Sequence, residues 1–157
     1  MRSPCSFTMN GGTINDNISG PATIGGGGSG GGVLVNGYGS FTMNGGTIRD
    51  NKGGPVKYDG VPTPGKLIVD GVITISSGGG GTGGGVHVKN NGSFTMNGGK
   101  IGWKNFADTG GGVYVGETGS FIMTGGALEY NKALAGSNFW SYKPENFIKI
   151  GGDILGY

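Results

Sequence analysis

Charge is scarce in this chain. Only 13% of its 157 residues are Asp, Glu, Lys or Arg, and the formal net charge is +2. Binding to nucleic acid needs a basic stripe that displaces counterions from phosphates, and none is present, so no nucleic-acid partner is expected. Cysteine occurs once, as Cys5, which excludes an internal disulfide and leaves the redox compartment open. His87 is the single histidine. It has no Asp, Glu or Cys beside it in sequence, so no metal site is expected and an outward surface position is. No apolar run reaches the roughly 20 residues of a membrane-spanning helix. Met1 to Cys5 lacks the apolar stretch of a signal peptide. Gly60 to Lys66 follows most of a phosphate-binding loop pattern, but Leu67 stands where Ser or Thr is required and Pro62 and Pro64 remove backbone donors. No cofactor is expected.

What the chain has in excess is glycine, 41 residues of it, and a repeat. The segment Phe41-Thr42-Met43-Asn44-Gly45-Gly46-Thr47-Ile48 is preceded by Gly30-Gly31-Gly32-Val33-Leu34-Val35, whose first valine lies eight residues before Phe41. Its phenylalanine recurs at Phe7, Phe94 and Phe121, and weaker copies start at Leu67 and Phe147. The intervals between these six starts are 34, 26, 27, 27 and 26 residues. A fixed period of this size marks a solenoid, whose units bury their apolar faces only against one another. The long first interval reads as one insertion, at the 25–32 glycine tract.

Within a unit, Val33/Val35, Phe41/Met43 and Ile48 alternate with polar or small residues, as half-buried strands do. The prediction is an all-β fold, a single-stranded parallel β-helix of about six coils with three short strands per coil, on the order of 30 Å long at about 4.8 Å per coil. Residues 1–157 form a single domain, expected to be a segment of a longer surface protein because no polar cap precedes Phe7. Phe7, Phe41, Leu67, Phe94, Phe121 and Phe147 should form one interior column, with Met9, Met43, Val69, Met96 and Met123 beside it. Val56-Lys57-Tyr58 is expected in the place of Val33-Leu34-Val35, and Phe139-Trp140-Ser141 in the last copy. Lys149 falls in the methionine column, where an unpaired ammonium is costly; it is expected to reach solvent from the open end of the rod. Asn10, Asn44 and Asn97, with Asp70 and Thr124, should make a corner ladder. The glycine tracts 25–32 and 78–85 are candidates for mobile loops.

Gly-Gly-Gly-Val at 30–33, 83–86 and 110–113, followed by Phe-Thr-Met-Asn at 41–44 and 94–97, resembles the adhesin-like parallel β-helix repeats of bacterial and archaeal surface proteins. It is also similar to the repeats of polymorphic outer-membrane passenger domains. The resemblance covers about residues 7–154. It implies a right-handed, pectate-lyase-like helix on a secreted or cell-surface protein. Enzymes of that fold carry clustered acidic and basic residues, whereas this chain has only two arginines, Arg2 and Arg49.

Two functional readings follow. The first is a non-enzymatic, adhesin-like structural rod with no catalytic residue, binding carbohydrate or a protein partner and capable of end-to-end self-association through its open strand edges. Its binding face is the column between the inward valines: Leu34, Lys57, His87, Tyr114 and Trp140, whose rings combine apolar area with polar tips. The alternative is a carbohydrate-active enzyme fragment using Asp16 and Asp50. Both lie nine residues after their phenylalanine, which suggests the roughly 5–5.5 Å carboxylate spacing of retaining glycosidases. Trp103 and Tyr130 share that offset and would wall such a site.

Overall fold

The computed structural model describes residues 4–19, 28–54 and 81–156, together with the backbone of 66–69 and 72–75. The described chain is all-β, with one 3-10 turn at Pro144–Asn146 and no helix long and apolar enough to cross a membrane. Its parallel strands are stacked in register in four sheets.

The phenylalanine sheet runs Ser6–Met9, Ser40–Met43, Ser93–Met96, Ser120–Met123, Phe147–Lys149. Like residues pair with like: Phe7 with Phe41, Phe41 with Phe94, Phe94 with Phe121, Phe121 with Phe147. The isoleucine sheet runs Thr13–Asn15, Thr47–Arg49, Lys100–Gly102, Ala127–Glu129, Asp153–Leu155. The valine sheet has four strands: Val33–Val35, Val86–Val88, Val113–Val115 and Phe139–Ser141. A fourth sheet, unforeseen in the sequence, joins Ile18–Ser19, Lys52–Gly53 and Phe106–Ala107 and continues through a bridge to Lys132. Among the described residues, the three middle passages of the chain therefore visit four strand positions rather than three.

Among the described residues the passages number five, not six. Ser40–Met43 pairs directly with Ser93–Met96, and Val33–Val35 with Val86–Val88, so no coil lies between them. The expected copy at Leu67 is instead a strand, Lys66–Val69, paired antiparallel with Val72–Ile75. The two residues between those strands are Asp70-Gly71, the pair that two-residue hairpins favour. The strand that carries Leu67 and Val69 is consequently not part of the phenylalanine sheet. Residues 56–58 and Asp70 lie outside the described residues. The chain departs and returns at one corner, where the backbones of Gly53, Gly54 and Gly81 touch.

Alternation decides the core. Phe41, Met43 and Ile48 point inward and are buried, as are Phe94, Met96, Ile101, Phe121, Met123 and Leu128. The phenylalanine rings stack nearly parallel, with centroids 5.1, 5.0, 4.7 and 5.0 Å apart from Phe7 to Phe147. Val86, Val88, Val113 and Val115 close the other side of the same apolar cluster, with Phe139 packed against it. Lys149 pairs with Met123 on the edge strand and is exposed. Its neighbour Ile148 is also exposed, so the register holds and the ammonium reaches water as expected.

Two glycine positions are imposed by the stacking. Gly46, Gly99, Gly126 and Gly152 turn the corner after the phenylalanine strand at φ between 79° and 91°, a conformation that costs glycine little. Gly31, Gly84 and Gly111 answer a second demand. A Cβ on Gly31 would lie 2.5 Å from the Gly84 carbonyl oxygen, and one on Gly84 would lie 2.4 Å from that of Gly111. Only a residue without a side chain lets successive passages approach this closely. These glycines are hydrogen-bonded rather than loose: Gly31 N–H donates to Gly83 and Gly84 N–H to Gly110. The described parts of the tracts, 28–32 and 81–85, are thus ordered ladder and not the mobile loops anticipated.

Asparagine ladders run along two corners. The exposed one is the expected one, Asn44 donating to Asn10, Asn97 to Asn44, and the Thr124 hydroxyl to Asn97. The second is buried from Asn51 onward. Asn17 Nδ2 donates to Asn51 Oδ1, Asn51 to Asn105, Asn105 to Asn131, and Asn131 to Asn138, at 2.8–3.1 Å. Each amide also binds backbone: Asn51, Asn105 and Asn131 donate to the carbonyls of Ile14, Ile48 and Ile101. Buried amides are tolerated because every polar atom finds a partner.

Candidate functional site

The outer face of the valine sheet carries the column singled out in the sequence. Leu34, His87, Tyr114 and Trp140 pair in that order, one per strand. Leu34 meets His87 directly, so nothing stands between them; Lys57 lies outside the described residues. The rings stack on one another, His87 on Tyr114 at 4.6 Å and tilted by 58°, Tyr114 on Trp140 at 4.7 Å and within 9° of parallel. Such pairs contribute about 0.5–1.5 kcal/mol each beyond the area they bury. Trp140 is on the edge strand, and Tyr142 meets it edge-on at 6.1 Å. Tyr142 was missed in the sequence because it stands one place beyond the repeating strand, where the other passages have Asn36, Lys89 and Gly116 and no ring. Burial, with Tyr142 nearby, holds the Tyr114 phenol above its usual pKa, so it stays a neutral donor.

His87 differs from the expectation of a surface residue. It lies opposite Val86 and Val88 but is only 5% exposed, covered by Tyr114 and by Thr82, whose hydroxyl is 2.9 Å from Nδ1. Desolvation, aided by Lys89, lowers its pKa from 6.5 to about 4. The neutral ring is therefore the native one. An unfolded chain takes up its proton below about 6.5, whereas the folded one resists until about 4. Stability should be complete above pH 6.5 and fall progressively between 6.5 and 4, as buried neutral histidines dictate. Denaturant melts across this window should show the loss, and His87→Tyr should remove that part of it. An unchanged pH profile in the variant would contradict the assignment.

The second candidate, at Asp16 and Asp50, occupies a corner where four equivalent residues adopt left-handed backbone. The φ values are 57° at Asp16, 55° at Asp50, 61° at Trp103 and 53° at Tyr130. Aspartate tolerates this region; tryptophan and tyrosine seldom enter it. Each carboxylate is engaged by its own neighbour, Asp16 by the Asn15 amide and Asp50 by the Arg49 guanidinium at 2.6 Å. Trp103 and Tyr130 are both exposed. Trp103 Nε1 donates to Glu129 Oε1 at 2.9 Å and Lys100 Nζ reaches the same oxygen at 3.0 Å. These two contacts, the indole first, hold the Glu129 carboxyl below its usual range, so it stays ionised. The corner is a braced, charged turn. Among the described residues no group of three or more His, Cys, Asp or Glu side chains converges to hold a metal.

Compared with protein-family models, with curated proteins and with solved structures, the chain matches none of them.

Proposed function

We propose that the stacked sheets close into a right-handed, single-stranded parallel β-helix, and that this rod is a non-enzymatic, adhesin-like structural element binding carbohydrate at the Tyr114–Trp140–Tyr142 end of the ring column. A secreted or cell-surface location belongs to the same reading and rests on the repeat's resemblance to adhesin-like surface proteins. The observation that carries it is the ring stack. Inside the sheets, matched residues are spent on packing and amide ladders, which stiffen a rod without doing chemistry. Outside, three rings run to an open sheet edge and end at Trp140, with the exposed Tyr142 beside it. Because His87, Tyr114 and Trp140 cover one another's faces, a sugar would meet the terminal indole and the Tyr142 phenol rather than a row of separate platforms. Lys143 follows Tyr142 and lies 3.8 Å from Glu117, supplying polar groups at the rim. Aromatic bodies with hydrogen-bonding tips suit the apolar faces and hydroxyls of sugars.

The test is a glycan array with the native protein and the Tyr114→Ala/Trp140→Ala double variant. Binding should occur in the first and fall at least tenfold in the second. Equal binding by both, or none by either, would sink the reading.

A further inference from the structure

The outer face of the phenylalanine sheet has no part in the carbohydrate reading. Phe41 and Met43 point inward, so Ser40 and Thr42 point out, and the same alternation holds at Ser93–Met96. Pairing sets Ser6 on Ser40 on Ser93, and Thr8 on Thr42 on Thr95, without slip. The strand Lys66–Val69 is outside this sheet, so both columns run unbroken over three strands. On the fourth strand Ser120 continues the first column and Ile122 closes the second. The exposed asparagine ladder borders them, two residues beyond each threonine. No outward residue of these four strands carries a charge or a ring.

Two further properties set this face apart from an ordinary strand surface. Its hydroxyls are unpaired: among the described residues, none of the six in the two columns has a hydrogen-bond partner. It is also nearly flat. Adjacent strands of a sheet ordinarily rotate by about 20–25° relative to one another. The rings beneath this face, from Phe7 to Phe121, lie within 9°, 9° and 6° of parallel, at 5.1, 5.0 and 4.7 Å. Ring stack and amide ladder hold the strands level, as stacked side chains do in other untwisted sheets. Threonine is stiff at χ1, so little side-chain freedom is left to lose on binding.

We infer that this face binds ice. Its groups repeat across the strands at about 4.8 Å and along them, between residues two apart, at about 6.6–6.8 Å. These repeats approach the oxygen spacings on a prism face of ice. The hydroxyls can therefore take lattice positions, with the threonine methyls seated between them. Other occupants find no match here. A sugar surface is held by aromatic rings, and the rings of this sheet point inward. An anionic polymer is held by cations, and the outward residues carry none. A protein interface is built around aromatic and apolar anchors, which the first three strands do not offer. What they offer is a rigid, neutral, periodic set of donors and acceptors, and crystalline water is the neutral lattice complementary to it. The inference is independent of the carbohydrate reading, which concerns the outer face of the valine sheet.

The test offers the native protein, fluorescently labelled on its lysines, to a single-crystal ice hemisphere, with inhibition of ice recrystallisation measured alongside. The label should mark a prism plane, and the growth of ice grains should be suppressed. Thr42→Lys/Thr95→Lys places two ammonium groups at the centre of the face and leaves the interior untouched. It should raise the protein concentration needed for inhibition at least tenfold. Tyr114→Ala/Trp140→Ala, on the other face, should leave that concentration unchanged. Circular dichroism melts report the fold of each variant, and the hemisphere measurement needs no variant at all. A hemisphere left unmarked by the native protein, or full inhibition by the lysine variant, would overturn the proposal. So would loss of inhibition in a ring variant that melts as the native protein does.

Discussion

Asn105→Asp should lower stability at neutral pH by about 3–5 kcal/mol, the range for a buried charge left without compensation. The substitution hardly changes the volume of the side chain, so packing is preserved and the hydrogen-bond inventory alone is altered. Asn105 Oδ1 accepts from the backbone and side-chain amides of Asn51 at 3.0 and 3.1 Å. A carboxylate oxygen can keep those bonds. Nδ2 donates to the carbonyls of Ile48 and Gly102 and to Asn131 Oδ1, at 2.9, 3.0 and 2.8 Å. A carboxylate oxygen there would face three acceptors in a site with no exposure to water. Protonation relieves the conflict, because a carboxylic acid donates to one of them. The new group's pKa is therefore raised in the folded state. Relative to the native protein, the deficit should be largest near neutral pH and shrink on acidification toward the unfolded carboxyl's ordinary range. Chemical denaturation at a series of pH values measures it. A deficit under about 1 kcal/mol, or one independent of pH, would mean that the amide ladder is not what holds this corner.

That ladder also shows where the sequence stops being readable. The interior columns were legible because one side-chain type repeats at one spacing: Phe7, Phe41, Phe94 and Phe121 announce their own register. So do Asn10, Asn44 and Asn97. The buried asparagines carry the same information in disguise. Asn17, Asn51 and Asn131 each lie ten residues after their phenylalanine, but Asn105 lies eleven after Phe94. The corner there has one residue more, Trp103 and Lys104 both being left-handed. Asn138 joins the ladder from a different place, standing where other passages have the glycines Gly85 and Gly112. The glycines leave room for the asparagine of their own passage: a Cβ on Gly112 would fall 2.6 Å from Asn131 Nδ2. Asn138 fills such a space with its own amide.

Other misreadings have equally local causes. Residues 55–80 number 26, matching the repeat, so an insertion between two passages was counted as a passage. Period alone cannot separate the two; the Asp-Gly pair between apolar runs was the available signal. The fourth sheet escaped notice because Ile18, Lys52 and Phe106 share no side-chain character, and a two-residue strand has no alternation to detect. Leu34, His87, Tyr114 and Trp140 follow one another in the expected order but without Lys57 between the first two, and the burial of His87 depends on Thr82, which the corner folds back over it. Side-chain alternation predicts which face a residue takes, not what else covers that face.

Phe94→Ala is expected to cost about 3–5 kcal/mol, and Phe7→Ala much less, although both delete the same ring from the same column. The difference lies in what each deletion leaves behind. Phe94 is fully buried between Phe41 and Phe121, with centroids 5.0 and 4.7 Å away. Its removal forfeits the transfer free energy of the ring and opens a cavity between two strands held in register by backbone hydrogen bonds, which resist collapse. Phe7 stacks on Phe41 alone, and about half of it already meets water, so less transfer energy is lost and no enclosed void forms. At about 2–4 °C per kcal/mol for a chain of this size, Phe94→Ala should lower Tm by roughly 6–20 °C. Stacked repeats share stability mainly with their neighbours, so the loss should concentrate in passages two to four. Hydrogen exchange should therefore accelerate at the amides of Ser40–Met43 and Ser120–Met123 in Phe94→Ala but not in Phe7→Ala. Equal costs for the two variants would mean that the ring column is not the continuous buried core described, and the in-register stacking of the sheets would have to be revised.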